Sequence, residues 1–164
     1  MSRSKTVKIP ETALSNIDII YYMEVLKIPN CLGVFMKDEL KKISLNNRKR
    51  KSQCAVVNLE NSNQFGSHWV AYIIDPNLGV LYFDSFAQEP PTELVEYLGC
   101  NSPIQRNQYV LQNDTSSECG RLCLFILNAI LIKKISYNSI LQSLKIRYDE
   151  NETTNKNQNK RYTK

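Results

Sequence analysis

The sequence has few of the residues from which metal centres and disulfide scaffolds are built. It contains one histidine, and its five cysteines include no CxxC pair of the kind that binds zinc. An odd number of cysteines favours free thiols inside a cell over a disulfide scaffold. We therefore expect that the protein has no metal site, requires no cofactor for any reaction that it catalyses, and is not secreted.

Long apolar runs are also absent. The longest, residues 122–132, covers 11 residues and is interrupted by Asn128, whereas a membrane span requires about 20. The polar and basic stretch at 1–10 lacks the apolar core of a signal peptide. We expect neither membrane insertion nor export.

What is present is the composition of one globular domain. The chain has 164 residues, of which 42% are hydrophobic and 23% are charged. Its net charge of +5 comes from one end, because residues 1–51 hold 11 basic and five acidic side chains whereas 52–148 hold six and eight. We assign the folded domain to residues 1–148. Residues 149–164 are polar with no aliphatic side chain, and we expect a disordered tail there.

The hydrophobic pattern predicts both helices and strands. Apolar residues at helical spacing predict a helix over 14–28, capped by Ser15 or Asn16 and ended by Pro29. Runs rich in Val, Ile, Tyr and Phe predict strands at residues 54–59, 69–74, 80–86 and 109–111. The turn residues at 75–79 predict that the second and third strands form an antiparallel hairpin.

Further helices are predicted around these strands. Residues 33–40 predict a turn that leads into a short helix or an irregular segment, and 92–98 predicts a short helix after Pro91. From 119 to 134 the chain is apolar nearly all round, which is typical of a central buried helix. Residues 137–148 predict an amphipathic helix on the outside.

Cys119 is the first candidate for chemistry. It stands at the N-terminal turn of the predicted buried helix, where the helix dipole and free backbone N–H groups lower the pKa of a thiol. Gly120 follows it and allows a substrate or another backbone to approach closely. Cys123, one turn further along the helix, is predicted to be a packing thiol.

A nucleophilic cysteine requires a base, a group that orients the base and a donor for the oxyanion. The only histidine, His68, precedes the second predicted strand, and Asp84 lies near the end of its hairpin partner. Asp75 is the competing carboxylate, but its place in the turn is typical of a turn former. Gln112, seven residues before Cys119, is the candidate oxyanion donor.

The chain resembles the adenain and SUMO-protease group of cysteine peptidases in the order and context of these residues. The motifs are GSHWVAY around His68, LYFDSF around Asp84, and QNDTSSECGRLCLFIL, which begins at Gln112 and contains Cys119. The likeness covers about residues 14–130. It is greatest to the adenain-like maturation proteases of polintons, virophages and adenoviruses.

The resemblance implies a fold and a role for each of these residues. The fold would be α+β in a single domain, with a mostly antiparallel sheet packed against the buried helix that carries the cysteine. Cys119 would be the nucleophile, His68 the general base and Asp84 the acid that orients it. Gln112 and the backbone N–H of Cys119 would form the oxyanion hole.

Three residues next to His68 or Cys119 in the sequence are expected to affect substrate binding or the charge of the site. By the resemblance, Trp69 would line a narrow passage suited to glycine, although a core aromatic on a strand is the alternative interpretation. Gly120 would lie against the substrate. Glu118 places a negative charge beside the nucleophile, which would raise the pKa of the thiol unless the side chain points to solvent.

The leading hypothesis is a viral cysteine endopeptidase that matures capsid or core precursors at Gly-containing sites. The resemblance implies that it acts in the virion and the host cell interior, in a virus factory or the nucleus. DNA or a viral peptide would be activators, and we expect a monomer. The alternative within enzymes is a protease that removes ubiquitin-like modifiers.

A hypothesis of another class is a basic nucleic-acid-binding structural protein. It rests on side chains suited to phosphate contacts. These are Lys41, Lys42, Arg48, Lys49, Arg50 and Lys51. A solvated loop that binds nothing and a nuclear localisation signal are the other interpretations of the same cluster.

Overall fold

A computed structural model of the protein describes residues 7–43, 52–99 and 103–162, and over 156–162 it describes the backbone. The elements in chain order are α1 (Asn16–Val25), β1 (Cys31–Met36), a 3₁₀ helix (Lys37–Lys42), β2 (Gln53–Asn58), β3 (Trp69–Asp75), β4 (Gly79–Phe83), α2 (Thr92–Leu98), β5 (Gln105–Arg106), α3 (Cys119–Leu131) and α4 (Tyr137–Tyr162). The predicted α+β class in one domain is confirmed.

The sheet is mixed rather than mostly antiparallel, which corrects the predicted topology. Its five strands lie in the order β1-β2-β3-β4-β5, and the β2-β3 and β3-β4 pairs are antiparallel. The two outer pairs are parallel, because a longer connection, including α2 between β4 and β5, returns the chain in the same direction. The hairpin predicted at residues 75–79 joins β3 to β4.

The two outer strands are the ones that the sequence pattern missed. β1 contains Gly33 at φ +131°, and its pairing with β2 is irregular between Cys31 and Val34, so its side chains do not alternate cleanly. β5 consists of the polar residues Gln105–Arg106. The strand predicted at 109–111 is absent, since this stretch crosses the end of β4 as irregular chain and the N–H of Leu111 donates to the carbonyl of Ser85 at 2.7 Å.

Both faces of the sheet are covered. Val56 and Ala71 belong to a core that α1 and α3 share with one face, whereas Val57 and Tyr72 pack against α2 and the 3₁₀ helix on the other. This burial on both sides explains why the central strands are almost continuously apolar. β3 lies in the middle of the sheet, so a residue at its end is held firmly.

α3 is the buried helix that the sequence predicted. It begins at Cys119, and 10 of its 13 residues are buried. It packs directly against β3. Within the described part of the chain, no helix combines the length and the apolar character needed to cross a bilayer.

α4 differs from the prediction at the C-terminus. Residues 149–162 continue the helix where we expected a disordered tail, and the domain boundary placed at 148 falls inside α4. No Gly or Pro interrupts residues 137–162. An ion pair between Lys145 and Asp149 and a 2.8 Å bond from Asn113 to Glu152 also stabilise the extension.

α1 is shorter than predicted, and its cap is Ser15. The Ser15 hydroxyl accepts from the backbone N–H of Asp18 at 3.2 Å, while the Asp18 carboxylate accepts from the N–H of Ser15 at 2.8 Å. This reciprocal capping box satisfies N–H groups that would otherwise lack a partner. It directs α1 so that Ile19 and Met23 are buried against the sheet and α3.

We expect Ser15→Ala to lower the free energy of unfolding by about 1 kcal/mol, because it removes the cap of α1. Chemical denaturation measures this. Ser143→Ala is the matched control, since the Ser143 hydroxyl bonds only within the exposed surface of α4, and it should change stability by less than about 0.5 kcal/mol. Equal effects from the two variants would contradict the importance of the cap.

Candidate active site

His68 and Asp84 meet because their strands are antiparallel neighbours. His68 lies one residue before β3 and Asp84 one residue after β4, so both stand at the same end of the hairpin. The Nε2 atom of His68 lies 2.8 Å from Oδ1 of Asp84. The Phe86 backbone N–H donates to the same carboxylate oxygen at 2.8 Å, and the Phe86 ring packs against the imidazole with centroids 4.9 Å apart.

Asp84 is fully buried and held through its backbone. The Asn107 amide accepts from the Asp84 N–H at 3.1 Å and donates to the Asp84 carbonyl at 2.6 Å. A third bond, in which the Asn107 amide donates to the carbonyl of Tyr109 at 3.1 Å, fixes the amide itself. Asn107 therefore sets the position of the carboxylate, and the sequence analysis missed it because no motif marks an asparagine in an irregular segment.

Cys119 lies against the other side of the imidazole. It is the first residue of α3, is 8% exposed, and its thiol is near enough to His68 for the imidazole to lower the pKa of the thiol. Because Asp84 occupies Nε2, Nδ1 is the ring nitrogen left for the thiol. The three side chains thus stand in the order carboxylate, imidazole, thiol, with Asp84 bonded to the imidazole and Cys119 interacting with it.

The environment favours the charged forms of both His68 and Cys119. Burial opposes ionisation of the Cys119 thiol, but the imidazole of His68 and the backbone groups of Trp69 and Gly120 outweigh it and lower the pKa below its usual 9.0. Burial likewise disfavours the imidazolium, but Asp84 and Cys119 raise the pKa of His68 from 6.5 to about 9. Each of the two groups therefore favours the charged form of the other.

Gln112 reaches the same region from the irregular segment before α3. Its side chain is buried, its Oε1 accepts from the Ser85 hydroxyl at 2.7 Å, and its Nε2 donates to the carbonyl of Ser116 at 2.7 Å. An amide nitrogen carries two hydrogens, so one N–H of Gln112 remains available. The sequence-predicted residues His68, Asp84, Gln112 and Cys119 are therefore brought to one end of the sheet.

Gly120 allows α3 to lie close to the strand that follows His68. A Cβ atom at Gly120 would lie 3.2 Å from Cβ of Leu14 and 3.3 Å from Cδ1 of Trp69, tighter than ordinary contacts. The Trp69 indole N–H donates to the carbonyl of Leu14 at 2.9 Å. Trp69 thus packs in the core beside the first turn of α3, and its role as the wall of a substrate passage stays a prediction.

Cys123 has the surroundings of a packing thiol. It is fully buried, its sulfur donates to the carbonyl of Trp69 at 3.4 Å, and burial raises its pKa well above the usual value. Two cysteines one turn apart on the same helix therefore have opposite pKa shifts, since only Cys119 contacts His68.

Glu118 is neutralised by a neighbour that the sequence analysis did not identify. Its carboxylate forms an ion pair with Arg121, one turn into α3, and Glu11 lies 3.9 Å from the same guanidinium. The negative charge next to Cys119 is thereby compensated, so it does not oppose the lowering of the thiol pKa.

The arrangement of the elements is shared with a protease of known structure. Two crystal structures of the ASFV pS273R protease, one of them with selenomethionine, match 80% of this chain at 18% identity, with TM-scores of 0.58 and 0.57. The chain has the fold of that protease. It spans 62% of the length of the ASFV chain, and its sequence matches no protein-family model and no curated protein.

Two of the six predicted nucleic-acid contacts lie in the described part of the chain. Lys41 and Lys42 are exposed at the end of the 3₁₀ helix, and Arg48–Lys51 lie outside the described residues.

Among residues 7–43, 52–99 and 103–162, no three His, Cys, Asp or Glu side chains are grouped to hold a metal ion. The four cysteines in those ranges, Cys31, Cys54, Cys119 and Cys123, have free thiols.

We expect Arg121→Met to raise the pKa of the Cys119 thiol, because it leaves the Glu118 carboxylate unpaired beside the sulfur. Alkylation of Cys119 by iodoacetamide at pH 7 should slow about 3- to 10-fold, in proportion to the thiolate fraction. Adding Glu118→Gln to this variant removes the unpaired charge and should restore the rate. A rate that stays low in the double variant would show that Arg121 acts through packing instead.

Proposed function

We propose that the protein is a cysteine endopeptidase with Cys119 as its nucleophile. The observation that carries the proposal is the grouping of Asp84, His68 and Cys119, in which Asp84 bonds the imidazole and the imidazole lowers the pKa of the thiol at the start of a buried helix. The thiolate is the reactive form of cysteine, and the lowered pKa of Cys119 favours it. The fold similarity to a viral protease adds support for this class of activity.

In the proposed mechanism, His68 holds the proton of the thiol while the Cys119 sulfur attacks the carbonyl carbon of the scissile peptide. The free N–H of Gln112 and the backbone N–H of Cys119 donate to the oxyanion that develops. The imidazolium then gives its proton to the departing amine, leaving a thioester on Cys119. Asp84 orients the ring and stabilises its charged form through both stages.

Hydrolysis of the thioester completes the cycle. Neutral His68 takes a proton from a water molecule, the hydroxide attacks the thioester carbon, and the second tetrahedral intermediate uses the same two donors. Its collapse releases the carboxylic acid and expels the Cys119 thiolate, while His68 keeps the proton that it took from water. This returns the thiolate–imidazolium pair to its starting state.

The proposed substrates are capsid or core precursor polypeptides of a virus, cleaved at Gly-containing sites. The fold shared with a viral protease favours this class over other polypeptides. Removal of ubiquitin-like modifiers is the alternative enzymatic function. Both use the same catalytic groups, so they are separated by substrates and not by the site.

We expect Cys119→Ala to abolish cleavage of a mixed peptide library and of protein substrates, because no other described thiol contacts His68. Mass spectrometry of the products maps the cleaved bonds. Cys123→Ala is the matched control on the same helix, and it should cleave the same bonds while losing stability to a small cavity.

Three results of this experiment would change the proposal. Cleavage that survives Cys119→Ala would overturn Cys119 as the nucleophile. Activity confined to ubiquitin-like conjugates would favour the alternative function. Cleaved bonds without glycine nearby would contradict the proposed specificity.

We expect kcat/KM to follow a bell-shaped pH profile whose alkaline limb lies near pH 9. Activity rises as the thiol deprotonates and falls when the imidazolium loses the proton that it must give to the leaving amine. Asp84→Asn removes the carboxylate that raises the pKa of His68, so the alkaline limb should move to lower pH. Asp75→Asn, in the β3–β4 turn, is the control and should leave the limb in place.

A further inference from the structure

The hydroxyl of Ser85 connects the segment that carries Asp84 to the side chain of Gln112. Ser85 follows Asp84 directly, is fully buried, and donates to Oε1 of Gln112 at 2.7 Å. Its carbonyl accepts from the N–H of Leu111 at 2.7 Å, which ties the segment after β4 to the residue before Gln112. Asp84, which bonds His68, and Ser85, which bonds Gln112, are thus consecutive residues.

The Gln112 amide has two chemically different ends, and only one of them is useful for an oxyanion. Its nitrogen must face the reacting carbonyl, because the oxygen carries no donor. The Ser116 carbonyl accepts one N–H at 2.7 Å, and an amide rotated by half a turn would place two acceptor oxygens against each other there. The Ser85 hydroxyl holds the oxygen end, so both ends of the amide are bonded in the same orientation.

We propose that Ser85 is a positioning residue that holds the Gln112 amide with its free N–H directed at the oxyanion. This role rests on the proposed function, since it concerns the same site. A preorganised donor is worth most when it does not have to reorient as the charge develops. With the hydroxyl, the amide is fixed by bonds from two separate segments, and without it only the Ser116 bond remains.

The expected effect of Ser85→Ala is a fall of about 10-fold in kcat with little change in KM, because a neutral buried hydrogen bond is lost. The loss should be smaller than for Gln112→Ala, which removes the donor itself and should cost about 10²- to 10³-fold. Ser85→Cys retains the shape with a weaker donor, so its kcat should fall between wild type and Ser85→Ala.

Two measurements separate positioning from a general loss of structure. Alkylation of Cys119 by iodoacetamide forms no oxyanion, so its rate and pH dependence should be unchanged in Ser85→Ala. In the Gln112→Ala background, Ser85→Ala should reduce kcat by less than about 2-fold further, since the amide it positions is gone.

The role is overturned if Ser85→Ala and Ser85→Cys both have the wild-type kcat. It is also overturned if the full loss persists in the Gln112→Ala background, or if alkylation slows in parallel with kcat. In each of these cases cleavage still depends on Cys119, so the proposed function stands. Cleavage that is unaffected by Cys119→Ala removes the proposed function and this role with it.

Discussion

The close approach of α3 to β3 is the constraint on which the site depends. Gly120 has no side chain, so the first turn of α3 lies against Trp69 and Leu14 at distances that a methyl group would disturb. The indole of Trp69 is fixed in turn by its bond to the Leu14 carbonyl. Because His68 directly precedes Trp69 and Cys119 directly precedes Gly120, this contact also sets the distance between imidazole and thiol.

Burial makes the charges of the site dependent on one another. Desolvation alone would favour the neutral Cys119 thiol and the neutral His68 ring. His68 lowers the pKa of the thiol, whereas Asp84 and Cys119 raise the pKa of the imidazole. The same low polarity strengthens those interactions. The pairing of Glu118 with Arg121 prevents an unbalanced charge beside the thiol. The reactive state is therefore a property of the group and not of the cysteine alone.

The catalytic candidates were identifiable from the sequence because their residue types are scarce and their local contexts are distinctive. One histidine, a carboxylate at a strand end and a cysteine at a helix start left few alternatives. Asn107, Ser85 and Arg121 were missed, since serine, asparagine and arginine are common in every surface segment. The helical continuation of α4 was missed because composition ignores the contact between Asn113 and Glu152.

The sequence by itself determined where the main helices and the central hairpin lie and which residues are candidates for the chemistry, because hydrophobic period and turn chemistry act locally. Only the tertiary structure decided that the outer strand pairs are parallel and which groups hold Asp84 and Gln112 in place. Parallel pairing depends on the direction in which a long connection brings the chain back to the sheet. A buried hydrogen bond depends on a partner that is distant in the chain. Local patterns contain neither kind of information, so the arrangement of the site emerged only from the folded chain.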